Sequence, residues 1–179
     1  FQDKVLPLSD DIVNLSLKSP LTTSYKNLFV LLFQLLKNPS PSLKKSFIDR
    51  ISQELEGKNQ FETLNLIAGL PSTVLEGSGF LYEKISSLSV HPNTKIRSAV
   101  PKALYNVAIS TNAVSFDSLF KNMIRIATFE ENLHVRHDTL EVLNEHCSIE
   151  MAKHEYINIF KIFVNDDSAR VRMITLKIE

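Results

Sequence analysis

The 179 residues carry 44% hydrophobic and 22% charged side chains, with a mean hydropathy of −0.02, which is enough apolar material for a buried core and excludes wholesale disorder. Lys and Arg total 20 against 20 Asp and Glu, a formal net charge of zero with a pI near 7.2, and a general binder of nucleic acid or anionic membrane would carry a basic surplus. With only 4 Gly and no Trp, a Gly-rich phosphate loop and a turn-dense β-fold are both disfavoured, and the composition points to an all-helical binding module.

In chain order, Ser9 caps a short helix through Lys18, ended by Ser19-Pro20. From Thr23 to Lys37 the apolar residues Leu28, Phe29, Leu31, Leu32, Leu35 and Leu36 recur at helical spacing. Asn38-Pro39 stops this helix, because the residue before a proline is pushed out of the α region. Ser40 caps the next, with Pro41 at its first position, where a missing N–H costs nothing. That helix places Leu43, Phe47, Ile48, Ile51 and Leu55 on one face, and Gly57 closes it. A shorter helix over Asn59–Ala68 is stopped by Gly69 and Pro71, and Ser72–Gly79 reads as one helical turn followed by a Gly-Ser-Gly break.

Phe80–Ser89 resumes the pattern with Leu81, Ile85 and Leu88 until His91-Pro92. Asn93 or Thr94 opens a long helix to Ile109, which Pro101 is expected to bend. Ser115 caps Phe116–Phe129. Helices over Leu133–Cys147 and Ile149–Val164 follow, the latter with a break near His154, and the last runs from Ser168 to the end. No segment alternates with period two, and the short Val/Ile runs that a βαβ sheet needs are missing, so the fold class is all-α.

The single cysteine, Cys147, excludes an intramolecular disulfide and fits a reducing compartment, so an intracellular location, cytoplasmic or nuclear, is expected. The longest apolar patch, Leu28 to Leu36, is interrupted by Gln34 and falls short of a membrane span. Phe1 is followed by neither the basic-then-apolar order of a signal peptide nor preceded by Met. The sequon Asn14-Leu15-Ser16 reads as chance.

Four junctions read alike: Asn38 to Lys44, His91 to Arg97, Glu130 to Arg136 and Asp166 to Arg172. Each is a polar turn followed by an apolar residue and then a base, and such recurrence implies stacked repeats. Arg97, Arg136 and Arg172 are nearly evenly spaced; the longer interval after Lys44 contains Asn59 to Gly77. A helix, an acidic polar turn and then Val-Arg near the start of a second helix resembles the HEAT repeat. Asp166 with Arg172 matches that family's turn acid and helix base; Glu130 with Arg136 and Asn38 with Lys44 match more loosely, and His91 stands where the acid for Arg97 belongs. The resemblance covers Phe80–Glu179 well and Thr23–Gly57 moderately, while Asn59–Gly79 departs from it.

The resemblance implies a right-handed α-solenoid of antiparallel helix pairs, HEAT- or ARM-like, with about nine or ten helices in about four or five repeats. Their approximate bounds are 9–57, 58–77 (degenerate or inserted), 78–110, 115–147 and 149–179. Residues 1–179 are then expected to be one fragment of a longer solenoid, since no polar capping face is evident at the last helix. The bases are expected to form a structural ladder: Lys44, Arg97, Arg136 and Arg172 reaching turn residues such as Asn38, Glu130 and Asp166 of neighbouring repeats.

In this resemblance the second helices line the concave face. Counting from each base, the face left free by the apolar set holds Lys45, Asp49 and Ser52, then Ser98, Lys102 and Tyr105. Further on it holds His137, Glu141 and Asn144, and finally Met173 and Lys177. This mixed-charge stripe suits a peptide helix or a folded subunit of a larger complex, with Tyr105 as its anchor. The resemblance therefore implies a non-enzymatic scaffold or adaptor, as in importin-β-like transport factors, phosphatase scaffolds, translation regulators and proteasome chaperones.

The alternative is a nucleic-acid module of the kind found in HEAT-like DNA glycosylases and chromosome-organising subunits, which need a basic track with aromatic residues. Lys45, Lys102 and Lys177 against Asp49 and Glu141, without Trp, disfavour it. No catalytic, metal or cofactor site is expected. His134, His137, His146, Cys147 and His154 are scattered, and Arg136 between the first two is a poor neighbour for zinc. Cys147 shares the apolar face of Leu140 and Leu143, where a buried thiol is the default, and Glu130-Glu131 and Asp166-Asp167 are turn acids favoured at helix starts.

Overall fold

In the computed structural model, residues 41–151 and 154–177 are described, and the expected helices over Ser9–Lys18 and Thr23–Lys37, with Asn38, lie outside them. The described residues form helices α1 (Pro41–Glu54), α2 (Gln60–Gly69), the single turn α3 (Ser72–Leu75) and α4 (Leu81–Ser87). A 3-10 turn, Leu88–Val90, leads to α5 (Thr94–Thr111), α6 (Phe116–Phe129), α7 (Leu133–Met151), α8 (His154–Val164) and α9 (Ala169–Thr175). Among the described residues there is no strand.

Local chemistry accounts for most boundaries. Asn93 opens α5, its side-chain oxygen accepting the Lys95 N–H at 3.0 Å, and Ser115 opens α6 by accepting the Ser118 N–H at 3.2 Å. Between α3 and α4 the chain turns at Gly77, whose φ of 79° suits a residue without a Cβ. Pro101 is buried inside an unbroken α5, which continues past Ile109 to Thr111 and ends at Asn112 in the left-handed region (φ 51°). α7 passes the expected stop at Cys147 and reaches Met151, so the helix expected to start at Ile149 begins at His154. The reason is local: Glu145 to Met151 contain neither glycine nor proline. At the other end α9 finishes at Thr175 rather than at the terminus.

The helices bury one continuous apolar cluster. α2 lies along α5, α5 against α7, and α7 against α9; α4 packs on α5, α6 on α7 and α5, and α8 on α9 and α7. α3 also packs on α5, and α1 meets α2. α5 and α7 are thus covered on two sides, which is why their faces carry Val100, Leu104, Val107, Val135, Leu140 and Leu143 at zero exposure. Each such side chain contributes on the order of 1.5–3 kcal/mol of transfer free energy, available only when the neighbouring helices are in place. Gln60–Leu75, the stretch that departs from the repeat, supplies the helix alongside α5 and is integral to the packing.

Two uncharged ties lock the layers. Asn106 Nδ2 donates to the Ile67 and Leu70 carbonyls at 2.7 and 2.9 Å, adding a second donor to Ile67, which already accepts the Leu70 N–H at 3.2 Å, at the end of α2. Asn122 Nδ2 donates to Tyr82 Oη and Ser86 Oγ, both at 3.2 Å, joining α6 to α4.

Candidate functional site

Three turns share one arrangement. Arg97 Nη1 donates to the carbonyls of His91 and Pro92 at 2.7 and 3.1 Å. Arg136 Nη1 does the same to Glu130 and Glu131 at 3.2 and 2.7 Å, and Arg172 Nη1 to Asp166 and Asp167 at 2.7 and 3.0 Å. The first residue of each turn also accepts the N–H of the residue two further on: Asn93 to His91 Nδ1 at 3.0 Å, Asn132 to Glu130 Oε1 and Ser168 to Asp166 Oδ1, both at 2.8 Å. His91 therefore does in its turn what the carboxylates do in theirs. The accepting Nδ1 places the ring proton on Nε2.

The outer edge of each guanidinium crosses to the next turn. Arg97 grips Glu130 with both edges of a fork, Nε to Oε2 at 2.7 Å and Nη2 to Oε1 at 2.9 Å. Arg136 donates from Nη2 to Asp166 Oδ1 and Asp167 Oδ1, both at 2.8 Å, with its Nε 2.8 Å from Asp166 Oδ2. The Glu130 and Asp166 side chains are 7% and 9% exposed, so these are enclosed pairs, whereas Asp167 at 91% is solvated. Burial pushes the Glu130 carboxyl up, but the Arg97 bond, the Asn132 amide and the field of Arg97 and Arg136 outweigh it and hold it below the ordinary carboxylate value. Asp166 is lowered in the same way, burial being overcome by Arg136 and the Ser168 amide. Arg97 and Arg136 are raised, each by the bond to its acid against the opposing effect of burial. Lys44 differs: its ammonium stands 3.5 Å from Glu76, whose side chain is 79% exposed.

Of the stripe residues, Lys102 donates to Glu141 at 2.9 Å, bridging α5 to α7, and the Tyr105 ring stacks on His146 with centroids 4.1 Å apart and planes at 11°. Lys102, Tyr105, Asn106, Glu145 and His146 line a cleft of about 270 Å³. Ser98 is half-buried and donates to its own helix at the Lys95 carbonyl, His137 Nδ1 is 3.3 Å from Asp138, and Asn144 is half-buried. Met173, 63% exposed, and Lys177 face solvent on and beyond α9.

Lys45 and Asp49 do not join this group. They line a separate depression of about 320 Å³ with Glu76 and Phe80, and Ser52 accepts from Lys84 at 2.7 Å. The cause is the Gln60–Leu75 segment, which puts α2 rather than α1 beside α5.

Sequence reasoning missed Glu145 and Asn106, and weighed His146 only as a metal ligand. Glu145 is one helical turn beyond Glu141, and counting the face one turn further would have reached it. It also passed over a buried threonine three residues after two of the arginines: Thr139 Oγ1 donates to the Val135 carbonyl at 2.7 Å and Thr175 Oγ1 to Val171 at 2.8 Å.

Among the described residues no three His, Cys, Asp or Glu side chains are placed to hold a metal ion. No helix among them is long and apolar enough to cross a membrane. Comparison of the chain with protein-family models, with curated proteins and with solved structures finds no match.

Proposed function

We propose that this chain is a HEAT-like α-solenoid segment acting as a non-enzymatic scaffold or adaptor, binding protein partners through the face formed by α5, α7 and α9. The observation that carries the reading is the recurring arginine. Arg97 and Arg136 each clamp the carbonyls of their own turn and the acid of the next, a nearest-neighbour device suited to stacked helix pairs. The regular file of helices offers an extended surface of mixed charge, which suits a folded subunit or a peptide helix better than a phosphate backbone.

Two measurements test this. Small-angle scattering separates the shapes: a compact domain of this length has a radius of gyration of about 16 Å, and a stack gives a clearly larger value. Affinity capture with the wild-type chain, Met173→Glu and Tyr105→Ala, all checked for native helicity, tests the face. Loss of the same captured protein from both variants supports the reading. A salt-sensitive shift of labelled DNA with no protein captured would replace it with the nucleic-acid alternative.

A further inference from the structure

We propose that the cleft between α5 and α7 accepts a lysine or arginine side chain from a basic segment of a protein partner. This rests on the reading of that face as protein-binding and names the chemistry it selects. At about 270 Å³ the cleft lies below the roughly 300–1,000 Å³ usual for small-molecule sites and has room for one long side chain.

Charge complementarity chooses the occupant. Asp138, Glu141 and Glu145 all act on Lys102, whose ammonium is raised first by its bond to Glu141, against desolvation, and then by the field of the three carboxylates. Of these charges Lys102 and Glu145 line the cleft itself; Lys102 is already paired with Glu141 at 2.9 Å, which leaves the Glu145 carboxylate to set the sign of the cleft. The Lys102 and Glu141 side chains are 50% and 33% exposed, so theirs is a solvent-screened pair that draws the ammonium toward Glu141, outside the cleft lining, and leaves Glu145 as the carboxylate an incoming base meets.

The aromatic wall adds selectivity. The Tyr105–His146 stack lines the cleft, and Glu145 Oε2 lies 3.7 Å from His146 Nε2, placing a carboxylate beside a π surface. A guanidinium or ammonium gains from both, through cation–π attraction and charge pairing. A neutral amide of the same size gains from neither, and a phosphate meets the Glu145 carboxylate.

The test uses the full chain and a rhodamine-labelled peptide of alternating Arg and Ser, read by fluorescence anisotropy, beside the same peptide with citrulline for Arg. The arginine peptide is expected to bind, more weakly as salt rises, and the citrulline peptide to fail. Glu145→Lys should weaken binding by about tenfold or more, a change of about 1.4 kcal/mol. Glu83→Lys, an exposed site on α4 that does not line the cleft, should leave binding as it was. Equal binding of the citrulline peptide, or equal effects of the two substitutions in chains of native helicity, overturns the proposal. If no arginine peptide binds while Met173→Glu and Tyr105→Ala still lose a captured protein, the cation inference fails and the protein-binding reading stands; if nothing is lost in either assay, both fall.

Discussion

Arg136→Ala removes a side chain bonded both to its own turn and to the next. Asp166, 9% exposed, would keep its bond from the Ser168 N–H but lose its counter-charge, and the Glu130 and Glu131 carbonyls would lose their shared donor. Stranding one partner of an enclosed ion pair costs about 3–5 kcal/mol. The arm to Asp167 adds about 0–1 kcal/mol, because that carboxylate is 91% exposed. Since Asp166 retains one amide donor, the lower end is the better expectation, about 3 kcal/mol. At about 2–4 °C per kcal/mol for a chain of this size, the midpoint of thermal unfolding should fall by about 6–12 °C. Circular dichroism melts and urea titrations of wild type, Arg136→Ala, Asp166→Asn and the double variant give the coupling energy directly. Lys44→Ala is the comparison, with an expected loss of about 0–1 kcal/mol because Glu76 is solvated. If Arg136→Ala and Lys44→Ala proved equally mild, the claim that the buried forks hold the turns together would be refuted.

Acid should act through the same pairs. Glu130 and Asp166 have folded pKa values below their unfolded values of about 4.3 and 3.9, so their contribution is fully present above that range. It is lost as pH falls through the depressed folded values, giving a stability that rises with pH in the acid range. Glu130→Gln should flatten that slope in urea titrations from neutral pH downward, and an unchanged slope would count against the assignment. Asn106→Leu takes the side-chain donor from the Leu70 carbonyl and leaves Ile67 only the Leu70 N–H, and should cost about 1–3 kcal/mol, measured by urea unfolding. Gly77→Ala has open space around the new methyl, so its cost should be the backbone alone, about 1–2 kcal/mol at φ 79°. Gly57→Ala, where a Cβ would meet only ordinary contacts near 3.6 Å, should be close to neutral.

Many helix positions could be read from breakers and caps: Gly57, Gly69 with Pro71, His91-Pro92 and Ser115 all mark real boundaries, whereas Pro101 lies inside the unbroken α5. The most displaced start, that of α8, follows a stretch from Glu145 to Met151 without such a residue, so nothing local stops α7 at Cys147. Spacing exposed the three turns but left their chemistry ambiguous. Six residues separate Asp166 from Arg172, yet that arginine bonds the aspartate's carbonyl, while the carboxylate is used by Arg136. The same distinction explains His91, which lacks a carboxylate but keeps the acceptor the turn needs. Pairings between helices, such as Tyr105 with His146 and Lys102 with Glu141, depend on register across α5 and α7, which no single helical pattern encodes.

The junction between α2 and α5 is held by the amide of Asn106, whereas those beyond α5 are held by arginine forks. An amide is indifferent to proton concentration in the range where the carboxylates titrate. Acid should therefore loosen the turns at Glu130 and Asp166 first and leave Gln60–Gly69 seated on α5, so that amide exchange in α7 and α9 accelerates before exchange in α2. Substituting Asn106 reverses that order at neutral pH. The molecule thus has two kinds of seam, one answering to acidity and one to the loss of a single neutral side chain, and they can be opened independently.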